Sequence, residues 1–356
     1  MRNFRVIESF RFFAALLVAF GHLFYILLKE YDKLPGSAGL AVEFFFVLSA
    51  FIITLKIKEN DIISSSFYLK KLFIGRVIRL LLPYMVLYSI FTILYYTILH
   101  GNNLKLYDFF VDFFLFQSLG IRRNVYHGFI SGISWSLGME LYIGTIYFTF
   151  IHFCKQKYKE ALFFICIIIL PLYPSIQIHL SNHISAYFNL LFDVIPMAIP
   201  RTIFSFSIGT LACLFYKNYG IKFKRYEFLT FTILELSIIS LIIMLYGHFN
   251  LNPDNNFIFP FFAAMLVIIF SYEKGIISVI LKRFSVLGTL SYSIYIIHPI
   301  VLDIMLYYNI TSKKFFLISL IFSSILFYNL VEKRIIKMKY IILNKFFPKV
   351  EKIDKL

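Results

Sequence analysis

Residues 9–28 read SFRFFAALLVAFGHLFYILL, an almost wholly apolar run interrupted by Arg11 and His22. Wound as an α-helix at about 1.5 Å per residue, such a run covers roughly 30 Å, the hydrocarbon thickness of a bilayer. No A-x-A cleavage site follows it and polar residues stud it, so it reads as a retained first spanning helix and not as a signal peptide.

Working outward, similar runs recur near 40–56, 80–99, 131–153, 161–178, 194–215, 228–246, 257–271, 286–308 and 315–331. They lack strand alternation, which leaves helices as the way to satisfy the backbone in lipid. The composition agrees: 60% of the 356 residues are hydrophobic and only 15% charged, with a mean hydropathy of +0.80. The expected fold is therefore all-α, a polytopic membrane bundle of about ten helices.

With both termini cytoplasmic, 26 of the 35 Lys and Arg fall inside, 7 outside, and Arg11 and Arg201 are buried. That asymmetry satisfies the positive-inside rule, and shifting the phase by one helix would invert it. The net charge of +16 is thus topogenic. Its residues lie in short blocks between apolar spans, without the basic face a nucleic-acid reader needs. Cys154, Cys166 and Cys213 have no paired spacing and read as packing residues. The apolar piece Phe109 to Phe116 of the longest outer loop is expected at the interface. The chain divides into a transmembrane domain, 1–335, and a basic cytoplasmic tail, 336–356.

An ionisable side chain within a span is costly and marks function by default. Arg11, His22, Glu43, Glu140, Arg201 and His298 qualify. Arg11 and His22 are eleven residues apart, about three helical turns, so they share one face with about 16 Å of rise between them. The structural alternative has Arg11 snorkelling beside Glu8 and His22 making a packing hydrogen bond. The other six histidines lie in loops or at helix ends without ligand spacing, and no metal site is expected.

The stretch IESFRFFAALLVAFGH, 7–22, resembles the amino-terminal signature of the membrane-bound acyltransferase family 3, the polysaccharide O-acetyltransferases. The resemblance continues in order through AVEFFFVLSAFIIT, 41–54, FIGRVIRLLLPY, 73–84, SWSLGMELYIG, 134–144, PRTIFSFSIG, 200–209, SYSIYIIHP, 291–299, and Glu332–Arg334. Glu43 stands where the family has Asp, and Ala50 where it has Gly.

The resemblance implies a cytoplasmic acyl-CoA donor, normally acetyl-CoA, used as a substrate without a bound cofactor. It implies a hydroxyl of a cell-envelope glycan or its lipid-linked precursor as acceptor, in the inner membrane, and the Phe-, Ile- and Lys-rich composition points to an AT-rich, bacterial genome. Arg76 and Arg79, one turn apart, suit bidentate recognition of the donor phosphates, with Arg11 assisting. His22 would serve as general base, paired with Glu140; Glu140 could instead pair with Arg201. An acyl-histidine intermediate is the other route. Glu43, Ser49, Trp135, Arg201, Ser291, Tyr292 and His298 would line the cavity or the acceptor side. The chain ends about two dozen residues after its last span, so the soluble esterase-like domain of some relatives is not expected. The competing readings are a polysaccharide exporter, since buried charges also mark permeation paths, and a small-molecule or lipid acyltransferase of the same family.

Overall fold

Backbone amides in hydrocarbon have no water to bond, so the apolar runs close their hydrogen bonds within helices. A computed structural model describes residues 4–29, 37–57, 65–95, 97, 106–121, 128–157, 190–191, 195–219, 226–251 and 257–347. Among these, eight helices are long and apolar enough to cross a membrane: α1 (Arg5–Leu27), α2 (Gly39–Lys56), α3 (Ser66–Leu94), α5 (Trp135–Cys154), α6 (Ala198–Asn218), α7 (Glu227–Met244), α9 (Ile276–Tyr307) and α10 (Lys313–Phe346). Between them lie a surface helix, α4 (Leu106–Phe113), and a shorter apolar helix, α8 (Phe259–Ser271). The protein is a multi-pass, all-α membrane bundle. The expected span 161–178 and Cys166 lie outside the described residues. The extended backbone described is a two-residue pairing of Leu190–Leu191 with Ile195–Pro196.

Three boundaries differ from the sequence expectation. Helix α3 starts at Ser66 instead of near residue 80, because no proline interrupts the run before Pro83. Pro83 lacks the N–H that would bond the Arg79 carbonyl, and the backbone absorbs this with a π turn at Val77–Leu81. Helix α9 already begins at Ile276, with a 3₁₀ segment, Lys282–Leu290, inside it. Helix α10 is capped by the Ser312 hydroxyl and continues unbroken to Phe346, through the expected domain boundary at 335. The Phe109–Phe116 piece contributes to α4, whose buried Asp112 accepts a hydrogen bond from Tyr88 on α3.

Helix α2 is central, packing on α1, α6 and α8, while α9 packs on α1 and α10, and α3 on α5. Ile243, Ile318 and Phe322 on the peripheral helices α7 and α10 are exposed, as lipid-facing side chains are. Close helix approach needs small residues. A Cβ on Gly209 of α6 would lie 2.2 Å from the Val47 carbonyl and 2.8 Å from the Ala50 Cβ of α2. The close approach that Ala50 would otherwise narrow is thus supplied from the opposite helix. Gly209→Ala is expected to cost about 1–3 kcal/mol through overpacking, read as a lower melting temperature in detergent. Gly75→Ala is the control, since its Cβ would meet nothing closer than 3.5 Å.

Candidate active site

Helix α1 carries the first two candidates at opposite ends. Arg11 is partly buried and bonds Glu8 at 2.9 Å, one turn before it. His22 is half-buried, and a π turn, Leu23–Leu27, follows it directly. Because α9 packs along α1, His22 meets His298: Nδ1 of His22 lies 3.1 Å from Nε2 of His298. The ring centroids are 5.2 Å apart and the planes 9° from parallel. The centroid separation exceeds the N···N distance by about one ring width, so the rings meet edge to edge through the nitrogens instead of stacking face to face. His298 is fully buried, with its Nδ1 3.3 Å from the Ile294 carbonyl.

The expected His22–Glu140 pair is not formed. Glu140 accepts from the Ser49 hydroxyl at 3.0 Å and lies 3.9 Å from the Arg76 guanidinium, which also donates to the Glu140 backbone carbonyl. Nor does Glu140 pair with Arg201. Arg201 pairs with Glu43, whose other carboxylate oxygen accepts from Ser205, in a buried cluster between α2 and α6. Trp135 is buried beside this cluster, its ring 6.0 Å from the Arg201 guanidinium. The glutamate arm that replaces the family's aspartate reaches Arg201 and Ser205 at once.

Arg76 is the more buried of the two α3 arginines. Its guanidinium sits 5.2 Å over the Phe148 ring and against Gly144, where a Cβ would lie 2.7 Å from Nη1. Its Nη2 is buried and has no hydrogen-bond partner, an unusual state for a group with so many donors. Arg79 is exposed and makes no ion pair among the described residues. The charges of Arg11, Lys56 and Lys339 lie near enough to interact with it.

On α9, Ser291 is buried, Tyr292 donates to the Leu80 carbonyl at the π turn of α3, and Ser293 donates to Glu332. Further along, the Tyr295 hydroxyl meets Ser136 at 2.6 Å and donates to the Ile133 carbonyl at 3.1 Å. Polar side chains therefore follow α9 from Tyr292 to His298, while α1 carries Arg11 and His22 beside it. Ser136, Ser293, Tyr295, Lys56 and Lys339 are not singled out by the sequence, and Glu332 stands there only at a motif end. The polar spacing of Ser293, Tyr295 and Glu332 was legible, but their partners lie on other helices.

Four π turns, Leu23–Leu27, Val77–Leu81, Met139–Ile143 and Tyr328–Glu332, adjoin or contain His22, Arg76 and Arg79, Glu140, and Glu332 respectively. Such turns cost regular hydrogen bonding and are found often at functional sites. Among the described residues no group of three or more His, Cys, Asp or Glu side chains is disposed to hold a metal ion. Cys154 and Cys213 are buried and free.

A many-helix membrane bundle with buried, mutually paired ionisable groups defines a membrane enzyme or carrier. A family model described as an acyltransferase domain matches residues 4–331, nearly the whole chain. The protein belongs to this acyltransferase family 3 and is an integral membrane acyltransferase. Comparison with curated proteins and with solved structures gives no significant match.

Proposed function

We propose that the protein moves an acyl group, most often acetyl, from cytoplasmic acyl-CoA to a hydroxyl of a cell-envelope polysaccharide or its lipid-linked precursor, in the inner membrane. The observation that carries this reading is the presence of two features in one bundle: an imidazole partnered on one nitrogen only, His22 on α1, and a buried arginine, Arg76 on α3, with an unpartnered guanidinium nitrogen. The first suits a general base, the second an anion.

The donor phosphates engage Arg76 Nη2 and Arg79, with Arg11, Lys56 and Lys339 adding positive potential. Clustered cations with too few carboxylates among them favour a polyanionic ligand. The pantetheine arm then follows the polar positions of α1 and α9 toward His22. His22 takes the proton of the acceptor hydroxyl as its oxygen attacks the thioester carbonyl. The tetrahedral intermediate collapses with cleavage of the C–S bond, and the departing thiolate takes the proton back from His22. The acceptor gains an ester and CoA leaves as the free thiol. Glu43 and Arg201 are assigned to holding the bundle together near the acceptor side, with the Trp135 ring beside Arg201.

Purified protein in nanodiscs, given acetyl-CoA with and without glycan acceptors, tests this through free-thiol release. Wild type is expected to release thiol in step with acceptor acylation. Arg76→Ala is expected to raise the KM for acetyl-CoA about 10–100-fold, the worth of about 1.5–3 kcal/mol for a hydrogen bond to a charged group, and to recover turnover at high donor concentration. Folded protein that neither binds nor consumes any acyl-CoA would overturn the reading.

A further inference from the structure

We infer that His298 is a positioning residue that fixes the tautomer of His22, so that Nδ1 of His22 carries the proton and Nε2 is left as the accepting lone pair. The inference rests on the reading of His22 as the general base, and it names the part of the molecule that makes that imidazole a base in the right direction.

Pro299 lies inside α9. A proline inside a helix has no N–H for the carbonyl four residues before it, so the Tyr295 carbonyl of α9 loses its regular helical donor. The His298 side chain turns back along this stretch of backbone, its Nδ1 3.3 Å from the Ile294 carbonyl. A carbonyl can only accept, so the ring nitrogen facing it carries hydrogen. With Nδ1 of His298 protonated, its Nε2 in the neutral ring is an acceptor. That nitrogen faces Nδ1 of His22 at 3.1 Å. Two lone pairs at that distance repel, so Nδ1 of His22 must be the donor.

The proton order is therefore His22 Nδ1–H to His298 Nε2, and His298 Nδ1–H to the backbone of α9. Nε2 of His22 remains unpartnered on a half-buried ring, while His298 is fully enclosed. The Tyr295 ring stands edge-on to His298 at 5.7 Å and is held by Ser136 and the Ile133 carbonyl, which keeps His298 from turning. When His22 receives the acceptor's proton on Nε2, its Nδ1–H keeps the same neutral acceptor. Here an imidazole does the orienting that a carboxylate does in a Ser-His-Asp triad.

The test uses the full-length protein in nanodiscs with ¹⁵N-labelled histidine, resonances assigned with His22→Gln and His298→Ala. In the resting protein at neutral pH the expected spectrum gives His22 a protonated Nδ1 and an unprotonated Nε2. The two side chains are separated next by His298→Gln and His298→Asn. The amide of Gln can place its oxygen where Nε2 lies, whereas that of Asn reaches only the Nδ1 position. Gln is expected to keep the His22 tautomer and most of kcat. Asn is expected to shift the His22 tautomer and lower kcat by about 10–100-fold, the loss found when partners that orient an imidazole are removed, with the KM for acetyl-CoA unchanged. A wild-type His22 protonated on Nε2, or equal losses in the Gln and Asn variants, would overturn the inference. The spectrum needs no turnover, so it is read independently of whether His22→Ala abolishes acyl transfer, the result on which the general-base reading itself depends.

Discussion

His22→Ala is expected to lower kcat for acyl transfer by about 10²–10⁴-fold, the range spanned by loss of a positioned general base, with the KM for acetyl-CoA changed little. The donor phosphates are assigned to Arg76 and Arg79 on another helix, and Arg11, which adds to their potential, lies about 16 Å of helix rise from His22, so removal of the imidazole leaves their contacts standing. The residual rate comes from holding thioester and hydroxyl together, which the bundle still does. The half-buried position of His22 makes the variant tolerable to the fold, and an unchanged melting temperature separates lost chemistry from lost structure. Wild type mixed with acetyl-CoA and no acceptor distinguishes the two routes of transfer. Proton abstraction predicts no covalent product on the protein, while an acyl-histidine route predicts an acyl adduct on the peptide carrying His22. A His22→Ala variant with wild-type kcat would remove the general base from the mechanism altogether.

The second large effect is on stability. Glu43→Ala is expected to destabilise the protein by about 3–5 kcal/mol, because it leaves the Arg201 charge buried without its carboxylate. It also strips Ser205 of its acceptor on the same side chain. Arg201 is 6% exposed and Glu43 2%, so water cannot replace what is lost. Removing both charges together, as in Glu43→Gln with Arg201→Met, is expected to recover most of that loss, since the desolvation cost goes with the pair. Melting temperatures of Glu43→Gln, Arg201→Met and the double variant in one detergent form the cycle. A double variant no better than the worse single variant would show that the pair does not act as a unit.

The buried ionisable residues could be picked out from the sequence because a charge in twenty apolar residues is costly wherever the helix ends up. Arg11 and His22 could even be placed on one face, since that spacing is internal to a single helix. The partnerships could not. Counted from the ends of their spans, Glu140 and His22 fall in the same half of the bilayer, which is all that the sequence offers for pairing them. Depth along a helix leaves the direction of a side chain around its axis unassigned. That direction depends on which helix lies next to which: α5 packs against α3 and α2, which gives Glu140 to Arg76 and Ser49, while α9 packs against α1, which gives His298 to His22. The π turn at Met139–Ile143 adds a further rotation that no regular periodicity anticipates.

The amino-acid sequence makes the chain a bundle of membrane helices, because hydrocarbon demands a backbone closed on itself and the apolar runs lack the alternation of a barrel. It also determined which charged groups that bundle must hide, and its ordered motifs assigned it to its acyltransferase family. Tertiary structure alone decided which hidden group faces which. Helices attract one another in lipid through close packing of small residues such as Gly209, and that packing brings Glu43 to Arg201, Arg76 to Glu140, and His298 to the base it orients.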